Sequence, residues 1–306
     1  MAAEPKVITK KQARRQIDLL CSGLVILVLL ECALRIGKPY LLPLLPVFFA
    51  GTDTDTVFLI AEIAVMAVVC IPFIIASFAL KLNLADYMRS PHHSLGQTLS
   101  LICIGIALRF LSASLSQLVY LFSERSTLEY AWIGQFVSRT YIINNVLYAV
   151  LFVLLRPVFH EIIFRGIIQR HLGHYGRYFG VLGSAFLFAL CQPDLPGFAA
   201  MFFLGWYLST VTLYSHSILP SIRISIALNL FLWLLFIIPE RAWIIVMVFL
   251  VIVYVTAALY IFRLRGRNIV RYGATESTLW KLLVTSPSVI ILIIVFTVSS
   301  VWSILH

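Results

Sequence analysis

Charge is what this sequence has least of. Asp, Glu, Lys and Arg together make up 12% of the 306 residues, against about a quarter in a soluble domain. No polar interval is long enough to fold as a soluble domain of its own. Cysteine is sparse and unpatterned. Cys21, Cys32, Cys70, Cys103 and Cys191 all fall inside apolar runs with no CxxC pair, which excludes a disulfide framework and describes free thiols acting as small hydrophobes. Internal repeats and low-complexity segments are missing too, so solenoids and disordered linkers are excluded. Acidic residues are fewer than basic ones, 13 against 23, giving a net charge of +10. The basic residues sit mainly between apolar runs. A positive-inside bias accounts for that without a nucleic-acid partner.

What fills the chain instead is hydrophobic sequence, 61% of the residues, with a mean hydropathy of +0.99. The apolar runs approach or exceed the ~20 residues that cross a bilayer. The expected fold is all-α: a polytopic transmembrane helical bundle of about eight to nine spans. The basic start (Lys6, Lys10, Lys11, Arg14, Arg15) makes 1–18 a cytoplasmic N-terminal segment. The apolar run after it has no small-residue cleavage site and reads as a retained first span, so 19–306 is the integral membrane domain. Spans are expected near 19–36, 57–80, 99–122, from 141 onward, 179–191, 198–214, 218–238, 243–262 and 282–305. With the N-terminus inside, sixteen of the 23 Lys and Arg lie in inside segments and four outside, the asymmetry expected of an N-in chain.

Ionisable groups within spans are costly, roughly 2.5–3.5 kcal/mol each near the bilayer centre, and so find partners or carry function. Glu31 and Arg35 are spaced i, i+4 and read as a self-neutralising pair on the first span. Glu62 on the second span has no sequence-local partner, and two places are open to it: the membrane interface, or contact with Arg109 of the third span. The His92-His93 pair beside Pro91 reads as a solvated loop.

The densest cluster is Arg156-Pro157-Val158-Phe159-His160-Glu161-Ile162-Ile163-Phe164-Arg165-Gly166. Pro157 is expected to kink or restart its helix. Glu161 and Arg165, one turn apart, lie on one face and can pair. Phe188 and Gln192 share that spacing near the end of the fifth span, as do Ser225 and Asn229 in the seventh. Three helices thus each present a polar group. The bland reading makes the ion pair a structural strut and the neutral residues interhelical glue, at about 0.6 kcal/mol for each hydrogen bond.

The order of these motifs resembles the CPBP family, the CAAX-protease and bacteriocin-processing intramembrane proteases that include Rce1-like prenyl-protein endopeptidases. The family pattern is a Glu-Glu-x-x-x-Arg helix, then a Phe-x-x-x-His helix, then a His-x-x-x-Asn helix. Here Pro157 to Gly166 fits the first, with His160 at the first Glu. Ser184 to Gln192 fits the second, with Gln192 at the His. Ser217 to Asn229 fits the third, with Ser225 at the His. The resemblance covers about 151–236, within a CPBP-like core of about 141–238.

The resemblance implies peptide-bond hydrolysis inside the membrane by activated water, at a site made of His160, Glu161, Arg165, Gln192, Ser225 and Asn229. It also implies a membrane or lipidated protein as substrate or partner, alongside membrane lipids. The departures bear on the chemistry. The family's first Glu is the presumed base, and here that position is an imidazole. Both family histidines are replaced by residues that take up no proton, while Gln192 and Asn229 keep donors suited to an oxyanion. His160, Glu161, His171, His174 and His216 form no ligand-spaced set, so no metal and no cofactor is expected. Cys191 reads as an inert buried thiol. The competing readings are a non-proteolytic binding or scaffold protein on the same fold, and a small-solute transporter. The transporter reading lacks an inverted repeat or paired broken helices. The expected location is multi-pass in a bacterial inner membrane.

Overall fold

The computed structural model describes residues 10–41, 54–80, 82, 84–88, 95–121, 142–237, 248, 252–255 and 277–305. Among these there is no strand. In chain order the helices are α1 (Lys10–Leu41), α2 (Thr54–Ala79), α3 (Leu95–Leu121), α4 (142–173), α5 (Arg177–Leu190), α6 (Leu195–Ser215), α7 (Leu219–Ile237), α8 (Ser277–Val284) and α9 (Pro287–Leu305). A single 3-10 turn, Leu84–Tyr87, lies between α2 and α3. Most of the span expected at 243–262 and the His92-His93 pair lie outside the described residues.

The outer surface of this bundle is apolar. On α2, Ile71, Ile74, Ile75 and Phe78 are 51–78% exposed, and only 22% of the Leu59–Ala79 window is buried inside the protein. A helix that apolar and that exposed is solvated by lipid. Among the described residues, four helices are long and apolar enough to cross a membrane: Lys11–Ala33, Leu59–Ala79, Asn145–Gly173 and Leu195–Ser215. A bent pair, Thr278–Val284 with Pro287–Val301, adds a fifth if it is one span. Leu95–Phe110, Arg177–Leu190 and Leu219–Leu234 are apolar but shorter.

The last apolar run departs from the expected single helix. It breaks at Thr285-Ser286 and bends by 61°, with Pro287 opening α9 instead of sitting inside a helix. Proline lacks the N–H that a helix interior needs but tolerates the first turn, where that N–H would be unsatisfied anyway. The elbow is tied to α1. Ser286 Oγ donates to Asp18 Oδ1, Ser288 Oγ donates to the Asp18 carbonyl at 3.2 Å, and Arg14 Nη2 donates to the Thr285 carbonyl at 2.9 Å. Helix α1 is thereby stitched to α8 and α9 at the basic end of the chain, and it is already helical from Lys10.

The interior is one large cluster running from Ile17, Leu20 and Leu24 of α1 through Phe164 and Ile168 of α4, Phe179 and Phe188 of α5 and Leu208 of α6 to Leu292 of α9. Helices α5 and α6 share an extensive contact and are joined by a short turn in which Asp194 Oδ1 accepts from the Gly197 N–H at 2.6 Å as an N-cap. Helix α4 packs on α5, α6 and α7.

Candidate functional site

Helix α4 carries the charged motif, and its backbone is not uniform. Residues Ala149–Leu155 and Ile162–Gln169 are π-helical, flanking an α-helical turn, Arg156–Glu161. At the first junction the Arg156 N–H donates to the Leu151 carbonyl, five residues back. That wider turn precedes Pro157, whose ring in a regular helix would press on the carbonyl four residues before it. The expected break at Pro157 is therefore absent. A change of helical pitch takes up the strain, and Asn145–Gly173 continues as one long helix. Such π segments recur where side chains must be re-aimed at functional sites.

Glu161 and Arg165 are each 1% exposed. Arg165 Nη1 lies 3.2 Å from Glu161 Oε1, a charge contact without the alignment of a hydrogen bond, since Nη1 and Nε have no hydrogen-bond partner. The guanidinium is held instead by Nη2 donating to the Gly205 carbonyl at 3.2 Å and by stacking 4.7 Å over the Phe188 ring. Gly205 makes this possible. A Cβ there would come within 3.0 Å of Phe188 and 3.2 Å of the Ala185 backbone, so a larger residue would lift α6 off α5.

Ser225 on α7 donates from Oγ to Glu161 Oε1 at 2.9 Å. Asn229 does not point the same way. Its Nδ2 donates at 2.8 Å to the Ser225 carbonyl on its own helix, so it supports the serine and does not reach the carboxylate. His160 is half-buried with its ring edge-on to Phe164 and Phe188, at 6.1 and 6.0 Å between centroids. Gln192 sits in the turn after α5, its backbone N–H donating to the Ala189 carbonyl at 3.0 Å. Among the described contacts none joins Gln192 to Glu161. The structure thus gathers Glu161, Arg165 and Ser225 directly, with His160 and Asn229 adjacent, and leaves Gln192 in the turn.

Two partners escaped the sequence reading. Gln169, one further turn along the same face as Glu161 and Arg165, is 6% exposed and donates from Nε2 to the Ser209 carbonyl at 2.8 Å. Its position four residues after Arg165 was the available signal. Ser184 Oγ donates to the Phe164 carbonyl at 2.7 Å, tying α5 to the π-helical part of α4. Glu31 also has a partner that spacing along the chain did not point to. Glu31 Oε1 accepts from Arg156 Nη2 of α4 at 2.6 Å, and the side chain of Arg35 lies outside the described residues. Arg156 also lies over the Phe152 ring at 5.5 Å, with Glu62 within electrostatic range. No group of three or more metal-ligating side chains comes together among the described residues.

In chemical terms, one oxygen of the carboxylate is committed to a serine and a guanidinium. The other, Glu161 Oε2, is buried without a hydrogen-bond partner. A helical core with an apolar outer surface thus holds a buried polar cluster drawn from α4 and α7. Residues 142–231 match the family model described as type II CAAX prenyl endopeptidase Rce1-like. The match supports the CPBP assignment drawn from the motifs, over most of the same stretch. No curated protein and no solved structure matches the chain.

Proposed function

We propose that this CAAX-protease-like protein receives a membrane-embedded or lipidated peptide segment in its core and holds it without cutting it. The observation that carries this reading is the engagement of Glu161. A general base must meet its water within hydrogen-bond reach, and this carboxylate is 1% exposed, with one oxygen taken by Ser225 at 2.9 Å and Arg165 at 3.2 Å. In the resembled family the position before it is the activating glutamate. Here it is His160, packed against two phenylalanine rings. Arg165 and Ser225 then act as struts for Glu161, Asn229 supports Ser225, and Gln192 offers a donor at the turn. We further propose eight to nine crossings, in which α3, α5 and α7 join the five candidate spans to make eight and the apolar run at 243–262 makes the ninth, with an N-terminus in the cytoplasm and an inner-membrane location.

A second reading, residual hydrolysis with His160 as the base, is favoured by one feature: the buried Glu161 Oε2 without a donor beside it. One experiment separates the two. The full chain in detergent is given a fluorogenic farnesylated peptide, and cleavage and capture are followed together. Saturable capture with no turnover above that of His160→Ala supports the binding reading. Turnover that disappears in His160→Ala overturns it in favour of hydrolysis.

A further inference from the structure

Three apolar helices come together at one end of the bundle, away from Glu161. A cavity of about 660 Å³ there is lined by the first turns of α1, by Ala79 and Leu80 at the end of α2, and by Ser288 in the first turn of α9. Helices α1 and α2 contain the candidate spans Lys11–Ala33 and Leu59–Ala79, so the cavity lies at a membrane boundary. Its wall carries both signs of charge. Arg15 and Asp18 line it from neighbouring turns of α1, and the two form no ion pair with each other.

The acidic half is fixed from behind. Asp18 Oδ1 accepts from Ser286 Oγ and, at 3.5 Å, from the Ser288 N–H, which holds the carboxylate against the elbow before α9. Asp18 Oδ2 has no hydrogen-bond partner among the described residues, and unlike Glu161 Oε2 it keeps accessible surface. Beside it, Ser288 Oγ donates to the Asp18 carbonyl at 3.2 Å, and Ser22 Oγ donates to the Leu19 carbonyl at 2.8 Å. With their hydrogens engaged, both hydroxyls offer the cavity lone pairs only. A carboxylate oxygen and two accepting hydroxyls are the complement of a group with several N–H donors and a positive charge, a primary ammonium.

The basic half lies one turn nearer the start of α1. Arg15 is exposed and engages no other side chain among the described residues. Gln16 Oε1 accepts from the Tyr175 hydroxyl at 2.7 Å, so its Nε2 is the donor left to the cavity. A guanidinium and an amide N–H together suit phosphate oxygens. Leu19, 39% exposed, and Leu80 add an apolar wall.

We propose that this cavity binds the phosphoethanolamine headgroup of a membrane lipid. The phosphate sits on Arg15 and Gln16, the ammonium on Asp18, Ser22 and Ser288, and the acyl chains leave along Leu19 and Leu80. A choline headgroup carries the same charges without an N–H, and a glycerol headgroup carries no cation, so each forfeits the acidic half of the site.

The test uses the full chain in neutral detergent and native mass spectrometry. The probes are phosphatidylethanolamine, its N,N-dimethyl derivative, phosphatidylcholine and phosphatidylglycerol of one acyl composition, with sn-glycero-3-phosphoethanolamine as the soluble arm. Phosphatidylethanolamine is expected to be retained about tenfold over phosphatidylcholine and phosphatidylglycerol, with the dimethyl lipid between. Arg15→Gln, at a side chain with no contact to lose, is expected to remove most of that retention. Asp18→Asn, which keeps an acceptor for Ser286, is expected to bring phosphatidylethanolamine down to the level of phosphatidylcholine. Saturable binding of the soluble ester that is lost in Arg15→Gln supports the same headgroup chemistry from a soluble source. Equal retention of phosphatidylethanolamine and either of the other headgroups, or retention unchanged in Arg15→Gln when its unfolding midpoint matches wild type, overturns the proposal.

Discussion

Arg165→Met tests whether the buried pair is a working unit of the fold. Arg165 and Glu161 are each 1% exposed, and the guanidinium contacts one carboxylate, one carbonyl and one aromatic face. Removing it leaves Glu161 with only the Ser225 hydroxyl as a partner, and an uncompensated buried charge costs about 3–5 kcal/mol. Glu161→Gln in addition removes the charge itself. Gln still accepts from Ser225, and Met lies against Phe188 as the guanidinium did, with a favourable sulfur–aromatic contact. The double variant then loses chiefly the Gly205 bond and the cation–π contact, about 1–2 kcal/mol in all. It is therefore expected to be more stable than Arg165→Met alone by about 2 kcal/mol. Equilibrium unfolding of the full chain in mixed micelles, titrated with dodecyl sulfate and followed by far-ultraviolet circular dichroism, measures the gap. If the single and double variants unfold together, the charge contact contributes nothing and the reasoning fails.

Gly205→Val is expected to destabilise by about 1–3 kcal/mol, because its Cβ would meet Phe188 at 3.0 Å and the Ala185 backbone at 3.2 Å; the same unfolding titration checks it, and a wild-type midpoint would show that α6 does not need this close approach. At the other ion pair, Arg156 has both Glu31 at 2.6 Å and Glu62 within range. Arg156→Gln removes the guanidinium that both carboxylates face, whereas Glu31→Gln leaves Arg156 with Glu62. The first is expected to cost about 1 kcal/mol more than the second, a modest gap for a pair about a quarter exposed; equal losses would remove Glu62 from the cluster.

Helix positions and the Glu161–Arg165 contact were legible because both follow from local periodicity. Apolar runs mark buried or lipid-facing helix, and an i, i+4 spacing puts two side chains on one face. The contacts that decide what the site does were not legible, since they join residues far apart in the chain. Spacing could offer Glu31 only Arg35, on its own helix, and gave no sign of Arg156, which reaches it from α4. Ser225 and Asn229 likewise look equivalent on one helix face. A serine is too short to bridge helices unless the backbones are close, and here the close packing of α7 on α4 brings it to the Glu161 carboxylate. The longer asparagine turns back to its own helix.

Pitch was equally hidden, because apolar patterning does not report whether a turn closes on the fourth or the fifth residue. Its consequence reaches the chemistry. A regular helix with a kink at Pro157 would tilt everything after it, whereas the π turns on either side keep α4 continuous and keep Glu161, Arg165 and Gln169 buried along one wall. One end of that wall is Glu161, closed by Ser225, and the other is Gln169, held on the Ser209 carbonyl, with Arg165 between them on the carboxylate and the Gly205 carbonyl. Arg165 thus ties the Glu161 carboxylate to the α6 backbone, and a change at Gly205 reaches that carboxylate through one side chain.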